Sequence, residues 1–359
     1  MKTLTALLLV FNTLFHIFFL FNNAKTHLFS DSLKYTWILA FLLFILAIIL
    51  YLTNTNLWWL PCLIAILISQ TLVFFMWQTL RLTTIPNFIV LIIVILSFSN
   101  WNFETKVKSE INGILTNLNL EKKQIITKKQ LNNLPSPVSL WLENSGILDK
   151  PKIVSVRLKQ KCQIKLNQKQ GDWIPAKAIQ YFNIEDPAFI WKVNMKINPI
   201  LKVSGRDKLE NGKGNMLIKL FSLIPIVNER GPKINEGSLQ RFLGEIAWFP
   251  SAALNPYIKW YQIDKHSAKA VINYDGSECS GIFTFNEKGK ITQFKTWRYM
   301  GNDNDQRHEW IITVDSYKPF NGITIPNKLR ANCKLENKKW TWIKIDIENI
   351  QYNTNKIFL

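Results

Sequence analysis

The first hundred residues alternate between long hydrophobic stretches and short polar breaks, with very little charge. Four stretches are apolar enough to form membrane helices: Leu4–Phe21, Trp37–Leu52, Leu57–Trp77 and Ile85–Phe98. A helix needs about 20 apolar residues to cross a bilayer, and aromatic residues at the ends of a shorter helix anchor it at the interface. A secretory signal is the alternative for the first stretch, but no small-residue cleavage site follows it. We therefore predict a four-helix transmembrane domain over residues 1–102.

A polar segment at 103–134 follows, which we interpret as a linker or stalk, and after it the hydrophobic period shortens to two residues. In 154–166 and in 189–197, apolar side chains alternate with lysine, arginine and asparagine. This period is typical of strands with one buried and one solvated face. About ten such segments, several separated by Gly, Asn and Asp turns, lie between residues 135 and 353. They predict an antiparallel β-sheet domain.

One helix interrupts the strands, and we predict it over residues 238–249. Ser238 is a suitable N-cap, and Pro250 ends the helix because it disfavours helical backbone at the preceding residue. The apolar residues of the segment form one stripe: Leu239, Phe242, Leu243 and Ile246. Neither a single helix nor a one-faced sheet can bury its apolar side alone. The predicted fold class is therefore α+β, a strongly curved antiparallel sheet (a half-barrel) around a central helix.

Charge is concentrated after the apolar stretches. Residues 1–100 contain four of the 44 Lys and Arg and one of the 25 Asp and Glu, which leaves a net charge of +16 for residues 101–359. The basic residues are dispersed along the strands and no nucleic-acid-binding motif is present, so nucleic acid is not an expected partner. A diffuse positive field suits a domain beside an anionic membrane. Because lysine is the default cation here, each arginine is a candidate for planar, bidentate recognition.

Several sequence blocks resemble an uncharacterised bacterial family of unknown function. The blocks are LPSPVSLWLENSG, SGRDKLENGKGNMLIKLFSLIPIV and EGSLQRFLGEIAWFPSAAL, and the resemblance extends over residues 134–352. The family pattern contains LPxPV, GRD, GxMLIKLLSLIPVV, ARGP and LxRxLxExxWFPSAL, and here Glu229 replaces the alanine that precedes Arg-Gly-Pro. Some members carry four membrane helices before this domain. The resemblance implies a multi-pass protein of the bacterial cytoplasmic membrane, and it implies no activity.

The sequence leaves open on which side of the membrane the sheet domain lies. The few basic residues around the apolar stretches divide evenly between the two orientations. The four cysteines show no metal-site or redox spacing, and the sequence contains no nucleophile elbow or phosphate-binding loop. We expect neither a metal nor a cofactor, and a protein partner cannot be named.

Arg241 and Glu245 lie one helical turn apart, and two interpretations of this spacing compete. An exposed ion pair would contribute about 0.2–0.5 kcal/mol and have no further role, which is the interpretation that the sequence alone favours. An enzyme acting on a membrane-associated substrate would instead use Glu245 or Asp207 as an acid or base. A third alternative is a protein-interaction module, for which we expect a large apolar surface patch.

The leading hypothesis is a membrane-anchored binding domain that shelters a hydrophobic or amphipathic ligand, a lipid, in the hollow of its sheet. By fold analogy, a curved sheet around a helix is similar to the periplasmic carriers of lipoproteins, whose concave face shelters acyl chains. Aromatic and methionine side chains are expected to line the hollow: Tyr181, Trp191, Met195, Met216, Phe221, Trp248 and Phe249. Three charged residues are expected at its mouth, where they select the head group: Arg230, Arg241 and Glu245.

Overall fold

The computed structural model describes the chain in six segments, which are residues 2–23, 31–116, 118–121, 124–301, 305–335 and 338–358. Contacts between Cα atoms divide the chain into two compact units, residues 1–105 and 106–359. Each unit contains hydrophobic core clusters of its own. The predicted domain limits at residues 102 and 134 stay predictions.

The first unit consists of helices. In chain order they are α1 (Lys2–Asn23), α2 (Asp31–Leu52), α3 (Trp59–Phe75), α4 (Trp77–Leu80) and α5 (Thr84–Leu115). A 3-10 turn, Arg81–Thr83, joins α4 to α5. The last part of α5, from residue 106, belongs to the second unit.

Among the described residues, two helical segments are long and apolar enough to cross a membrane: Leu33–Leu52 and Trp77–Leu115. The apolar segments Thr5–Phe18 and Trp59–Phe75 are shorter. At 1.5 Å per residue, the 17 residues of α3 extend about 26 Å, which is less than the hydrocarbon thickness of about 30 Å. The structure therefore supports two candidate spans rather than the four that the sequence predicts.

Polar side chains link α3 to α5 in the first unit. Asn87 Nδ2 donates to Ser69 Oγ at 3.0 Å and to Gln70 Oε1 at 3.2 Å. Gln70 Nε2 in turn donates to Thr84 Oγ1 at 3.1 Å. Hydrogen bonds of this kind satisfy polar groups between apolar helices and hold the helices together.

The second unit is built on one antiparallel sheet of thirteen strands, counted over the described residues. The strands are β1 (Ser155–Ile164), β2 (Ile174–Asn183), β3 (Ala188–Lys196), β4 (Lys202–Glu210), β5 (Lys213–Leu220), β6 (Ile224–Arg230), β7 (Ile258–Gln262), β8 (Ser267–Tyr274), β9 (Ser277–Phe285), β10 (Ile291–Tyr299), β11 (Arg307–Phe320), β12 (Ile323–Leu335) and β13 (Lys338–Tyr352). Their order in the sheet is β6-β5-β4-β3-β2-β1-β13-β12-β11-β10-β9-β8-β7. The antiparallel sheet is as predicted, and the pairing of β1 with β13 joins its two halves.

Three strands escape the sequence prediction. Residues 213–227, which the period-two pattern presents as one strand, form two strands, because Phe221 and Ser222 adopt left-handed backbone (φ 54° and 58°) and turn the chain between β5 and β6. Strand β4 carries the polar run SGRDK, in which no apolar alternation is visible. Strand β7 lies at the edge of the sheet and keeps most of its side chains partly or fully exposed.

Helix α7 (Pro232–Glu245) begins earlier than the predicted N-cap Ser238. Gly231, with φ 114°, turns the chain immediately before the helix. Pro232 then occupies the first helical turn, where its fixed φ suits the helix and its missing N–H leaves no bond unmade. The glycine–proline pair therefore starts the helix, and Ser238 lies inside it.

At its C-terminal end, α7 passes into a 3-10 turn before the helix ends. The 3-10 turn Ile246–Trp248 follows the α-helix, and Phe249 then leaves helical backbone with φ −139° and ψ 73°. Pro250 contributes to this change because a proline disfavours helical backbone at the residue before it. A second 3-10 turn, Pro250–Leu254, leads on to β7.

The sheet curves around α7, as predicted. The helix contacts β4, β5 and β6 in one half of the sheet and β8, β9 and β10 in the other. One helix can touch both halves only if the sheet bends around it. A short helix, α6 (Ser136–Ser145), adds Trp141 to the same core, with its ring 6.4 Å from that of Phe283.

Candidate functional site

The face of the sheet that points toward α7 is called the inner face here, and the opposite one the outer face. Two hydrogen bonds between the strands and the helix define the inner face. Gln180 on β2 donates to Glu245, and Asp207 on β4 accepts from Arg241. Successive residues of a strand point to opposite faces. These two contacts therefore assign each residue of β2 and β4 to the inner or the outer face.

A charge cluster lies on the inner face where α7 crosses β4. Arg241 Nε donates to Glu245 Oε1 at 2.8 Å, and Arg241 Nη1 donates to Asp207 Oδ2 at 2.7 Å. The side chains of Arg241 and Glu245 are only 14% and 6% exposed, so this is not the exposed ion pair that the sequence favours. The guanidinium also lies over the rings of Trp191, at 4.7 Å, and Phe189, at 5.0 Å.

Neutral polar side chains extend the cluster across β3, β1 and β2. Trp191 Nε1 donates to Gln160 Oε1 at 2.7 Å, and Gln160 Nε2 donates to Gln180 Oε1 at 3.3 Å. Gln180 Nε2 then donates to Glu245 Oε2 at 2.8 Å. The charged groups are therefore satisfied by a continuous hydrogen-bond chain, which is the condition for keeping polar groups in a buried position.

Burial shapes the acidity of the two carboxyl groups. Desolvation raises the pKa of Glu245, although Arg241 and the hydrogen bond from Gln180 oppose the shift. Desolvation likewise raises the pKa of Asp207 against the attraction of Arg241. One arginine serves both carboxylates, so the cluster holds a proton more readily than two exposed carboxylates do.

The adjacent residues Arg206 and Asp207 point to opposite faces of β4. On the outer face Arg206, 1% exposed, lies 2.9 Å from Glu110 of α5, and its guanidinium donates to the side chain and carbonyl of Asn215. Its Nε–H is not aligned with the carboxylate for a hydrogen bond, so that contact is an ion pair only. Strand β4 thus connects a charge contact on α5 with the charge cluster on α7.

Three of the predicted lining residues do lie on the inner face. Trp191 belongs to the charge cluster. Met195 lies on β3 four residues after Trp191, is buried, and pairs with Val203 of β4. Met216 on β5 pairs directly with Asp207 and is partly exposed. Both strands, β3 and β5, are regular at these positions, so the alternation seen in the sequence is kept in the structure.

Trp248 and Phe249 are buried in the core rather than free to contact a ligand. The ring of Phe249 lies 4.8 Å from that of Phe182 and 5.7 Å from that of Phe242. Trp248 is 2% exposed, and its carbonyl oxygen accepts a hydrogen bond from Tyr352 at 2.8 Å. These aromatics fill the concave side near the end of α7.

The structure places the other three predicted residues elsewhere. Tyr181 follows the inward Gln180 and therefore lies on the outer face, where its hydroxyl accepts a hydrogen bond from the Phe358 N–H. Phe221 belongs to the turn between β5 and β6. Arg230 ends β6, is exposed, and pairs across the sheet with Asn215, a residue of the outer face. Period-two spacing gives the alternation of a strand but not which parity faces the helix, and this explains the errors.

Part of the inner face is not filled by α7. Five aliphatic side chains there pack against the core yet stay partly exposed: Ile218, Leu220, Ile312, Val314 and Ile345. We call the space beside them the hollow. Two clefts of about 370 and 560 Å³ are also present, but they are lined by the β7–β8 face and by the β1–β2 loop, and neither is lined by residues of α7 or by these five side chains.

Sequence reasoning passed over Arg298, which lies on the inner face of β10. Its guanidinium stacks over the ring of Trp310 at 4.9 Å. A Cβ atom built on Gly237 of α7 would lie 2.8 Å from Arg298 Nη2, so the guanidinium lies against the helix backbone and would have to shift if residue 237 carried a side chain. The available signal was the rarity of arginine in a lysine-rich chain together with its even spacing from the buried Phe294.

Comparison with known proteins gives a family but no activity. Residues 132–352 match DUF6920, a family of unknown function. No curated protein matches the chain. A crystal structure of a LolA superfamily protein from Nitrosomonas europaea is similar over 59% of this chain and 91% of that protein, with 9% sequence identity and a TM-score of 0.35. A likeness this weak carries no argument about function.

Proposed function

The chain belongs to the DUF6920 family of unknown function, and we propose that its sheet domain binds a hydrophobic or amphipathic ligand, a lipid, in the hollow. The observation that carries the proposal is the row of partly exposed aliphatic side chains on the inner face. In a domain that only had to fold, the concave side of the sheet would be filled to interior density. Leaving apolar surface in contact with water forgoes about 25 cal/mol per Å².

The polar part of the inner face supports an amphipathic occupant. The charge cluster of Arg241, Asp207 and Glu245 lies beside Met216, which is partly exposed and pairs with Asp207. Ligand sites combine a mainly apolar lining with a small number of placed polar groups. Of the residues predicted from the sequence, we keep Trp191, Met195, Met216, Arg241 and Glu245 as members of the proposed site.

We further propose that the domain is anchored in the cytoplasmic membrane by its helical first unit. Two helical segments have the length and apolarity for this, and the shorter apolar segments Thr5–Phe18 and Trp59–Phe75 complete the proposed multi-pass arrangement. A membrane location supplies a lipid ligand directly. It also suits the net positive charge of the residues that follow the apolar stretches.

Lipid extraction from the purified full-length protein tests the proposal. Mass spectrometry of protein isolated in mild detergent is expected to detect a bound lipid at a fixed stoichiometry. Ile345→Trp fills the hollow and is expected to reduce the recovered lipid at least severalfold. Lys328→Trp, an exposed position of the neighbouring strand β12, is the matched control and should leave lipid recovery unchanged.

Thermal unfolding monitors whether Ile345→Trp is still folded, so that lost lipid is not mistaken for lost structure. The proposal is wrong if the folded native protein carries no lipid, or if a folded Ile345→Trp variant retains the native amount. Both carboxylates of the charge cluster are held by one arginine, which is a structural arrangement. We therefore propose no reaction for Glu245 or Asp207.

A further inference from the structure

Arg298 is a charged group at one end of the hollow. It lies on β10 four residues after Phe294, so both side chains point to the inner face. The cross-strand partner of Phe294 is Ile312. Trp310, the next inner residue of β11, lies beneath the guanidinium. Arg298 therefore stacks on an aromatic ring and shares the inner face with the aliphatic lining, from which Trp310 separates it along β11.

No acceptor for the guanidinium is found within the described part of the chain: Arg298 makes no hydrogen bond and no ion pair there. The carboxylates that act on it electrostatically are already engaged. Asp207 is paired with Arg241, and Glu236 is paired with Arg307 at 2.9 Å. Among the described residues, the positive charge of Arg298 has no carboxylate of its own.

An unpaired guanidinium in partly buried surroundings is costly. Desolvation lowers the pKa of Arg298, and the neighbouring Arg241 adds to the effect. Arginine nevertheless keeps its charge in proteins and presents five N–H donors in a planar fork. The fork fits a carboxylate or phosphate with two parallel hydrogen bonds, and such charge-assisted bonds are about twice as strong as neutral ones.

We propose that Arg298 binds the anionic head group, a carboxylate or a phosphate, of the ligand whose apolar part occupies the hollow. This inference rests on the proposed function and adds the class of the ligand, an anionic amphiphile. Arg241, the head-group candidate from the sequence, is already neutralised by two carboxylates, so Arg298 is the stronger anion site of the two.

The surroundings favour an amphiphile over a free anion. One face of the guanidinium is covered by Trp310, and α7 closes over it at Gly237. Farther along the inner face of β11, beyond Trp310, the positions are apolar: Ile312 and Val314. A small hydrated anion would gain nothing from this lining, whereas an acyl chain attached to the anionic group would bury it.

The test compares a charged amphiphile with an uncharged one. The probes are 16-doxylstearic acid and its methyl ester, added at pH 8 to delipidated full-length protein in amphipol, with binding measured from the immobilised component of the spin-label spectrum. We expect the native protein to prefer the acid. Arg298→Gln should weaken acid binding about tenfold to a hundredfold and leave ester binding unchanged. Arg298→Lys keeps the charge without the fork and should lie between the two.

Arg330→Gln is the matched control, because Arg330 is exposed on the outer face and already paired with Asp315 at 2.6 Å. It should change neither probe. Equal binding of acid and ester to the native protein would overturn the role of Arg298 and leave the hollow intact. Failure of both probes to bind would overturn the hollow, and the inference with it. A third result is that millimolar inorganic phosphate displaces the acid as well as an acyl-linked anion does. That result would overturn the claim that the ligand is an amphiphile.

Discussion

At the scale of single residues, the charge cluster shows why a sequence spacing of four says little about energy. Arg241 and Glu245 have the spacing of a common surface pair, but the sheet covers them and adds Asp207 as a second carboxylate. A buried charge depends on its partners because water no longer stabilises it. At this buried position the stability of the fold therefore depends much more on Arg241 and on Glu245 than it would for the same spacing on a surface.

Replacing Arg241 tests this dependence. Arg241→Gln leaves Glu245 and Asp207 without their cation, so we expect a loss of about 3 kcal/mol in unfolding free energy at neutral pH. The measurement is chemical or thermal unfolding of the full-length protein in detergent, followed by tryptophan fluorescence. Arg330→Gln breaks an exposed pair and should cost about 1 kcal/mol or less. Similar losses in the two variants would contradict a buried cluster.

The pH dependence of stability has a definite sign at Glu245. Burial raises the pKa of this carboxyl in the folded state, so the folded protein binds its proton more tightly than the unfolded chain does. The stabilising contribution is complete below the unfolded-state pKa of about 4.3 and is lost as pH rises through the raised folded-state pKa. We expect the stability of the native protein relative to Glu245→Gln to fall over this range. A difference that is constant between about pH 4 and 8 would show that the carboxyl is not perturbed.

At the scale of elements, α7 organises the second unit because it contacts both halves of the sheet. Its close approach to β10 depends on small residues. A Cβ at Gly244 would lie 2.8 Å from the ring of Phe294 and 3.0 Å from Ile312, and these side chains are themselves packed. Close packing leaves such neighbours little room to move.

Gly244→Ala separates packing from helix propensity. Alanine favours helix over glycine by about 1 kcal/mol, whereas overpacking a core costs about 1–3 kcal/mol. We expect the packing term to win and the unfolding midpoint to fall. Gly171→Ala is the control, since residue 171 has open space around it and is expected to change stability by about 0.5 kcal/mol or less. An unchanged or raised midpoint for Gly244→Ala would mean that α7 and β10 have room between them.

At the scale of the whole molecule, the chain combines a helical unit rich in exposed apolar side chains with a sheet unit that has its own core. Exposed aliphatic and aromatic residues along α2 and α5 suit a lipid environment rather than water. The proposed lipid ligand and the proposed helical anchor therefore both require a lipid membrane.

Membrane association can be measured directly. We expect the full-length protein to stay in the membrane pellet after alkaline carbonate washing and to leave it only on addition of detergent, because the apolar segments Leu33–Leu52 and Trp77–Leu115 have the length to span a bilayer. A soluble protein enclosed in the same vesicles should be released by carbonate and serves as the control. Release of this chain without detergent would contradict membrane integration.

The sequence by itself determined the class of the fold and its main elements. Local periodicity records which face of a strand or helix is buried, so the antiparallel sheet, its curvature and the helix before Pro250 could be predicted. It also suggested Arg241, Glu245 and Trp191 as members of the proposed site, and the structure brings these three into one cluster. The turn at Phe221 and the strand β4 could not be predicted, since left-handed backbone and polar strands leave no periodic signal.

Only the tertiary structure decided which residues meet. Tyr181 and Gln180 are neighbours on β2 and point to opposite faces of the sheet, and only the position of α7 decides that Gln180 is the one on the inner face. Arg298 and Gly237 are brought together from distant parts of the chain, and nothing local marks that contact. Periodicity is a property of one segment, whereas partners are set by non-local register. The sequence therefore showed that a hollow could exist, and the folded chain determined which arginine shares its face without an acceptor among the described residues.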